Sequence, residues 1–244
     1  SQIGFNGDFQ LCSLNISASL CNATVSLANN TAVVVGVFNP LETQSRLIRI
    51  KVTTPNVSVA DASGNNITAD VICANVTDAT DCDLYFNANL TGYNVSFFHL
   101  APSQVSLAVA AQQTIPNGTL FQRYQVSQNQ FITVFGGLST FEWEDSGNVS
   151  SFSLQLNYYP GYCASNDQNS GAYIFRPAQG HVDKSIPYLT PTSSQIFQGK
   201  VVTIISTQYS TSIVNMKFTN SVTRDIELET FIDSIDIEDG VGKE

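Results

Sequence analysis

The chain has 244 residues, enough for one large all-β unit or two ordinary domains with a buried core. Hydrophobic residues make up 43% and charged residues only 12%, a balance that excludes intrinsic disorder. Twenty acidic against ten basic side chains give a formal charge of −10, which repels phosphate backbones and anionic lipid, and no apolar run approaches the ~20 residues of a membrane-spanning helix. Nucleic-acid and membrane partners are therefore not expected.

In chain order, Cys12 and Cys21 enclose a short loop, and Val33–Phe38 is the first apolar β-branched run, closed by Asn39-Pro40. From Arg46 to Val52, Ile48, Ile50 and Val52 fall on one face of a strand and Arg49 and Lys51 on the other, the alternation of a sheet with one wet side. Ser63-Gly64-Asn65-Asn66 is a turn, and Cys73 and Cys82 enclose a second short loop. Strand patterns follow at Leu84–Leu90 and Val95–His99, separated by Thr91-Gly92. Between Ala101 and Thr119 the alternation fails, and a domain boundary is placed there. Further strands are expected at Phe131–Phe135, Phe152–Tyr158, Val201–Ile205, Ile213–Phe218 and Ile226–Ile232, with turns at Gly136-Gly137 and Ser146-Gly147-Asn148. Many short strands at this spacing predict an all-β sandwich architecture.

The Asn-Xaa-Ser/Thr pattern of N-glycosylation begins at Asn15, Asn22, Asn29, Asn56, Asn66, Asn75, Asn89, Asn94, Asn117 and Asn148. With 21 Asn and 48 Ser plus Thr, random placement gives about four such sites, so ten argue for a glycoprotein of the secretory pathway. None follows Asn148. Glycans are incompatible with a packed interface, so the bare C-terminal region is expected to be covered by another domain. Oxidised pairs Cys12–Cys21 and Cys73–Cys82 agree with that compartment, and each closes a loop worth roughly 2.5–3 kcal/mol. Cys163 is left over, either buried and free or bonded to another polypeptide. Metal ligation by the cysteines is the weaker alternative, since there is no Cys-x-x-Cys and the two histidines, His99 and His181, are far from them in sequence.

The chain opens Ser-Gln-Ile-Gly, without a basic-then-apolar leader, which points to a removed leader or an internal piece. The nucleophile-elbow, phosphate-loop, dinucleotide and His-Glu-x-x-His patterns are all missing from the sequence. The acidic residues Asp233, Asp236, Glu238 and Asp239 do not follow a calcium-loop spacing and read as a solvated strand end.

One segment is more specific. Tyr158–Pro177 ends in Ser-Gly-Ala-Tyr-Ile-Phe-Arg-Pro, Ser170 to Pro177, which resembles a signature of lysosomal-type α-mannosidases, glycoside hydrolase family 38. Colinear stretches agree: Cys12-Ser-Leu-Asn-Ile-Ser leading to Cys21, Val34–Leu41 ending Phe-Asn-Pro-Leu, Asp83–Phe98 with Leu-Tyr-Phe and Leu-Thr-Gly-Tyr, and the closing Asp239–Glu244.

The resemblance covers nearly the whole chain but only the middle of such an enzyme. It implies a small immunoglobulin-like β domain at residues 1–112 and, at 118–244, the opening part of a large β-supersandwich of galactose-mutarotase type. It also implies that the zinc, held by two histidines and two aspartates, and the acid/base aspartate lie in a catalytic domain outside this chain. This chain would then be inactive alone, and its partners would be that domain and an oligomannose glycan, within an oligomeric assembly in the lysosome or vacuole, or secreted. Tyr173 is implied at the rim of the mannose pocket, with Gly171 and Arg176 as secondary candidates that strand and turn geometry also accounts for. The rival reading is a free-standing secreted β-sandwich that binds glycans or serves adhesion, with Tyr158, Tyr159 and Tyr162 as its aromatic platform.

Overall fold

The structure is a computed structural model that describes residues 22–75, 78–109, 111–116, 118, 121–135, 140–163, 168–170, 175–180, 186–220 and 226–235. A helical turn, α1 (Asn22–Val25), runs into a 3-10 turn at Ser26–Asn29, and the remaining elements are strands. They are β1 (Val33–Asn39), β2 (Gln44–Val52), β3 (Val57–Asp61), β4 (Asn66–Ile67), β5 (Ala69–Asn75), β6 (Asp78–Leu90), β7 (Asn94–Pro102), β8 (Ala111–Pro116) and β9 (Phe121–Ser127). The second half adds β10 (Gln130–Phe135), β11 (Thr140–Asp145), β12 (Asn148–Ser153), β13 (Leu156–Tyr158), β14 (Ile186–Leu189), β15 (Ser193–Gln198), β16 (Val202–Gln208), β17 (Ser212–Thr219) and β18 (Ile226–Ile232). The fold is thus all-β. Two compact units divide it, Ser1–Gln112 with Ile196–Ile204 and Lys217–Ile226, and Gln113–Gln195 with Ile205–Met216 and Glu227–Glu244.

In the first unit, sheets ordered β1-β7-β3-β4 and β2-β6-β5 face each other. Their inner sides supply Val57, Val59, Phe98 and Leu100 from one sheet and Val52, Val71, Leu84 and Phe86 from the other, all buried. Phe86 and Phe98 meet edge to face at 5.1 Å between centroids, the favourable quadrupole arrangement. Ile48 and Ile50 pack on this core, while Arg49 and Lys51 on the opposite side of β2 bind Asp83 (2.8 Å) and Asp81 (2.6 Å), as the alternation predicted. The outer side of β2-β6-β5 is wet only in part, a correction to the solvent face expected from the alternation: Ile72 and Tyr85 pack there with Val202 and Ile204. Cys73 and Cys82 stand opposite each other across β5 and β6 and form a disulfide.

In the second unit, β9 to β12 form an antiparallel meander ordered β12-β11-β10-β9. Tyr124, Val126, Ile132, Val134 and Phe141 are its buried side chains, with Phe152 stacked on Phe141 at 5.4 Å. The β11–β12 turn has positive φ at both Ser146 (52°) and Gly147 (86°), the geometry that matches the right-handed twist of a two-residue hairpin. The expected strand Phe152–Tyr158 is instead two elements, since β12 stops at Ser153 and β13 begins at Leu156 and pairs with β14. A five-stranded sheet, ordered β18-β17-β16-β15-β8, includes β8, which lies inside the stretch where alternation failed. No helix among the described residues is long and apolar enough to cross a membrane.

Candidate functional site

The signature segment forms a backbone-stitched crossing. Gly161 bridges Pro177, the Tyr162 amide donates to the Arg176 carbonyl at 2.7 Å, and the Ala178 amide donates to the Pro160 carbonyl at 2.8 Å. Ser170 closes this crossing from the side. Its hydroxyl accepts from the Tyr162 amide (3.1 Å) and the Arg176 amide (2.9 Å) and donates to the Arg176 carbonyl, while its own amide donates to the Tyr162 carbonyl at 2.9 Å. A serine can do all of this because one hydroxyl both donates and accepts.

Arg176 has a positioning role in this crossing. Its guanidinium lies 4.2 Å from the centroid of the Tyr162 ring, a cation–π contact, and one of its terminal nitrogens donates to the Gln168 carbonyl at 3.1 Å. Phe175 meets Tyr159 edge to face at 6.5 Å. Ser170 and Phe175 are thus the fastened residues that flank positions 171–174 in sequence. Tyr173 and Gly171 lie outside the described residues. Of the three aromatics considered as a glycan platform, Tyr162 has the guanidinium over its ring and Tyr159 has Phe175 at its side.

Two other stretches that carry the resemblance meet each other in the first unit. Asn39, from Phe-Asn-Pro-Leu, is 1% exposed, and its amide nitrogen donates to the carbonyls of Glu42 (3.0 Å) and Thr91 (3.3 Å). Its side-chain oxygen accepts from the Leu41 amide (3.1 Å) and from Gln44 (2.9 Å). Gly92, from Leu-Thr-Gly-Tyr, donates its amide to the Thr43 hydroxyl at 3.0 Å, and a Cβ there would stand 2.8 Å from the Thr43 backbone nitrogen. These motif residues are a polar lock between two strand ends. Around the lock, Phe38 and Tyr93 are 63% and 72% exposed.

Sequence reasoning missed a third arrangement. Asp70, 3% exposed on the outer side of β5, accepts the amides of Lys200 (2.9 Å), Val201 (2.6 Å) and Val202 (3.0 Å). No local pattern marks it, because its partners lie about 130 residues further on.

Six of the ten glycosylation acceptors have described side chains, Asn29, Asn56, Asn66, Asn89, Asn94 and Asn148, and all six are exposed. The contrast with Asn39, which is not an acceptor and is buried, is what attachment of a bulky sugar requires. Asn15, Cys12, Cys21 and Asn117 lie outside the described residues, and the side chains of Asn22 and Asn75 are likewise not described. Cys163 has no disulfide partner among the described residues and is exposed, which corrects the expectation of a buried free thiol. Among the described residues no group of three or more His, Cys, Asp or Glu side chains comes together to hold a metal.

Against curated proteins, the chain is 29% identical over 250 residues to a lysosomal alpha-mannosidase of Dictyostelium discoideum, an alignment covering 94% of this chain. Its relatives are α-mannosidases. A probable alpha-mannosidase of Arabidopsis thaliana is 24% identical over 278 residues, covering 98% of the chain. The chain spans about a quarter of the length of these α-mannosidases, 24% of the first and 26% of the second. No family model matches the chain. The resemblance carried by Ser170–Pro177 and the colinear stretches thus extends through nearly all of this sequence. In the structure, the α-mannosidase-like motif residues Asn39, Gly92, Ser170 and Arg176 fasten strand ends and crossings to one another.

Proposed function

We propose that this chain is a non-catalytic β portion of a zinc-dependent α-mannosidase of glycoside hydrolase family 38, which removes terminal α-mannose from N-glycan oligosaccharides with retention of configuration. The observation that carries this reading is the near end-to-end similarity to α-mannosidases about four times as long, in a sequence with none of the common catalytic motifs. In such an enzyme two carboxylates flank the glycosidic bond, one as nucleophile and one as acid/base. The zinc supplies Lewis-acid stabilisation at the sugar hydroxyls. The described residues do not fit that metal, so the reading assigns it, with both carboxylates, to the rest of the enzyme.

This chain's part is scaffold and one wall. The crossing of Tyr162, Ser170 and Arg176 holds the ends of the segment that carries Tyr173, whose hydroxyl is proposed at the rim of the mannose pocket. Phe38, Leu41, Tyr93, Val95 and Phe97 give β1, β7 and their connecting loops an exposed apolar face, which suits burial against the remainder of so long a protein. The exposed acceptor asparagines and the disulfide suit an oxidising secretory route, with the lysosome or vacuole, or the outside of the cell, as destination.

The test is kinetic. In the assembled enzyme, Tyr173→Phe is expected to lower kcat/KM toward an aryl α-mannoside by about tenfold, the value of one hydrogen bond to a charged or strongly polar partner. Chelation is expected to abolish turnover of the assembly. An assembled enzyme indifferent to both would contradict the proposal.

A further inference from the structure

We propose that a groove at the tip of the β16–β17 hairpin binds a neutral, hydroxyl-rich ring, a hexose unit of a glycan, at a site separate from the Tyr158–Pro177 segment. The groove lies within the second unit and measures about 400 Å³, inside the range of about 300–1,000 Å³ for small-molecule sites. One side is the hairpin, with Gln208, Ser210, Thr211 and Ser212. The other is the end of β18, with Phe231 and Asp233.

The hairpin is held rigid from beneath. The buried Tyr209 donates its amide to the Ser212 carbonyl at 2.8 Å, and the Gln208 amide nitrogen donates to the carbonyls of Tyr209 (2.5 Å) and Ser212 (3.3 Å). The Asp233 amide donates to the Thr211 carbonyl at 3.2 Å, joining the two walls. Against this background Ser212 is anomalous. It is 2% exposed, yet its hydroxyl has no hydrogen-bond partner among the described residues. A buried hydroxyl without a partner is costly, and because Ser212 is among the residues lining the groove, a ligand hydroxyl would supply the partner that the fold does not once the wall yields to expose it.

The lining selects the ligand class. It has no Lys, Arg or His to attract an anion, and Asp233 repels one. A single carboxylate among hydroxyls and an amide is too few hard ligands for a calcium-type site. What remains is a set of hydroxyl, amide and carboxylate donors and acceptors beside the apolar Ile213, Phe231 and Ile232. The carboxylate accepts from hydroxyls, the Ser and Thr hydroxyls donate and accept, and the partly exposed Phe231 ring offers a flat apolar surface to the C–H face of a pyranose. The source is either a glycan on another molecule or one of the chain's own N-linked glycans.

The test is saturation-transfer NMR and calorimetry on the full glycosylated chain with the methyl glycosides of mannose, N-acetylglucosamine and galactose, and with glucuronate as an anionic control. Saturable binding of at least one methyl glycoside, with glucuronate weaker, is expected. Binding by the glycosylated chain identifies the source as another molecule's glycan, whereas binding that emerges only after enzymatic trimming identifies the chain's own sugar as the occupant. Phe231→Ala and Asp233→Asn are each expected to weaken binding about tenfold, and Ser212→Ala by a similar factor, with the melting temperature recorded for every variant. Asp233→Asn alters an exposed side chain and keeps the test available if Phe231→Ala fails to fold. Failure of every methyl glycoside in both glycosylation states, or affinities unmoved by Asp233→Asn, would overturn the proposal. Neither result bears on mannosidase membership, which rests on different residues.

Discussion

The carboxylate of Asp70 occupies the space that a side chain at Gly199 would need, so the two residues are matched across about 130 positions of sequence. Gly199 precedes the three amides that Asp70 accepts, and the Gly199 amide itself donates to the Val202 carbonyl at 2.9 Å. Asp70→Ala is expected to destabilise by about 2–4 kcal/mol, since it leaves buried donors without acceptors. Asp70→Asn should lose less, and Gly199→Ala should destabilise because the new methyl meets the carboxylate. Differential scanning calorimetry of the three variants checks this. Wild-type melting in Gly199→Ala would show that the arrangement is looser than described.

Asn39 makes a second prediction. Its amide group donates through nitrogen and accepts through oxygen at once, which an ionised aspartate of the same shape cannot do. Asn39→Asp keeps the shape but replaces two donors with acceptors facing the Glu42 and Thr91 carbonyls. It is expected to cost about 2–3 kcal/mol, more than the same change at the exposed Asn157, Asn157→Asp. Urea midpoints at fixed m-value give the comparison.

The Cys73–Cys82 disulfide closes a loop with a sequence separation of nine. In the chain-entropy account its loss by Cys82→Ser is worth about 2.5–3 kcal/mol, and because Cys82 is wholly buried the serine adds a desolvation cost. Unfolding with and without reductant should show the wild type, and not the variant, losing this increment.

Asp61 supplies a pH dependence. Its carboxylate accepts the Ser63 amide (2.8 Å), the Asn65 amide (2.9 Å) and the Asn65 side chain (2.9 Å) around a turn whose Gly64 has φ of 86°. Hydrogen bonds from the Asn65 side chain and backbone hold its pKa below the ordinary 3.8. A depressed pKa contributes stability that is present above 3.8 and is lost as pH falls through the folded-state value. The turn is therefore intact at mildly acidic pH and weakens only in strong acid. A carboxyl-carbon NMR titration should place Asp61 below the other exposed aspartates, and an ordinary value would contradict the geometry.

How far the fold is legible in sequence depends on how many faces of a strand are buried. β2 was readable because Ile48 and Ile50 meet the core while Arg49 and Lys51 meet carboxylates near water. β5 was not, because Asp70, Val71 and Ile72 are all buried, Val71 in one core and Ile72 in another, so alternation vanishes. β8 follows residues 107–109, which are stitched to Val71 by backbone bonds instead of side-chain pattern: Val71 donates to the Leu107 carbonyl (2.9 Å) and Val109 to the Val71 carbonyl (2.7 Å). The site divides in the same way. Ser170–Pro177 was conspicuous as a motif, and the structure explains Ser170 and Arg176 as fastenings, whereas the Asp70 cap and the Ser212 groove depend on residues that only folding brings together.

The chain is proposed to serve a larger α-mannosidase without doing the chemistry. Hydrolysis of an aryl α-mannoside, measured on the purified chain and on the same chain together with the rest of the enzyme, tests it most directly. No turnover alone and chelator-sensitive, configuration-retaining turnover in the assembly is the result predicted. Robust hydrolysis by the 244 residues alone would contradict it.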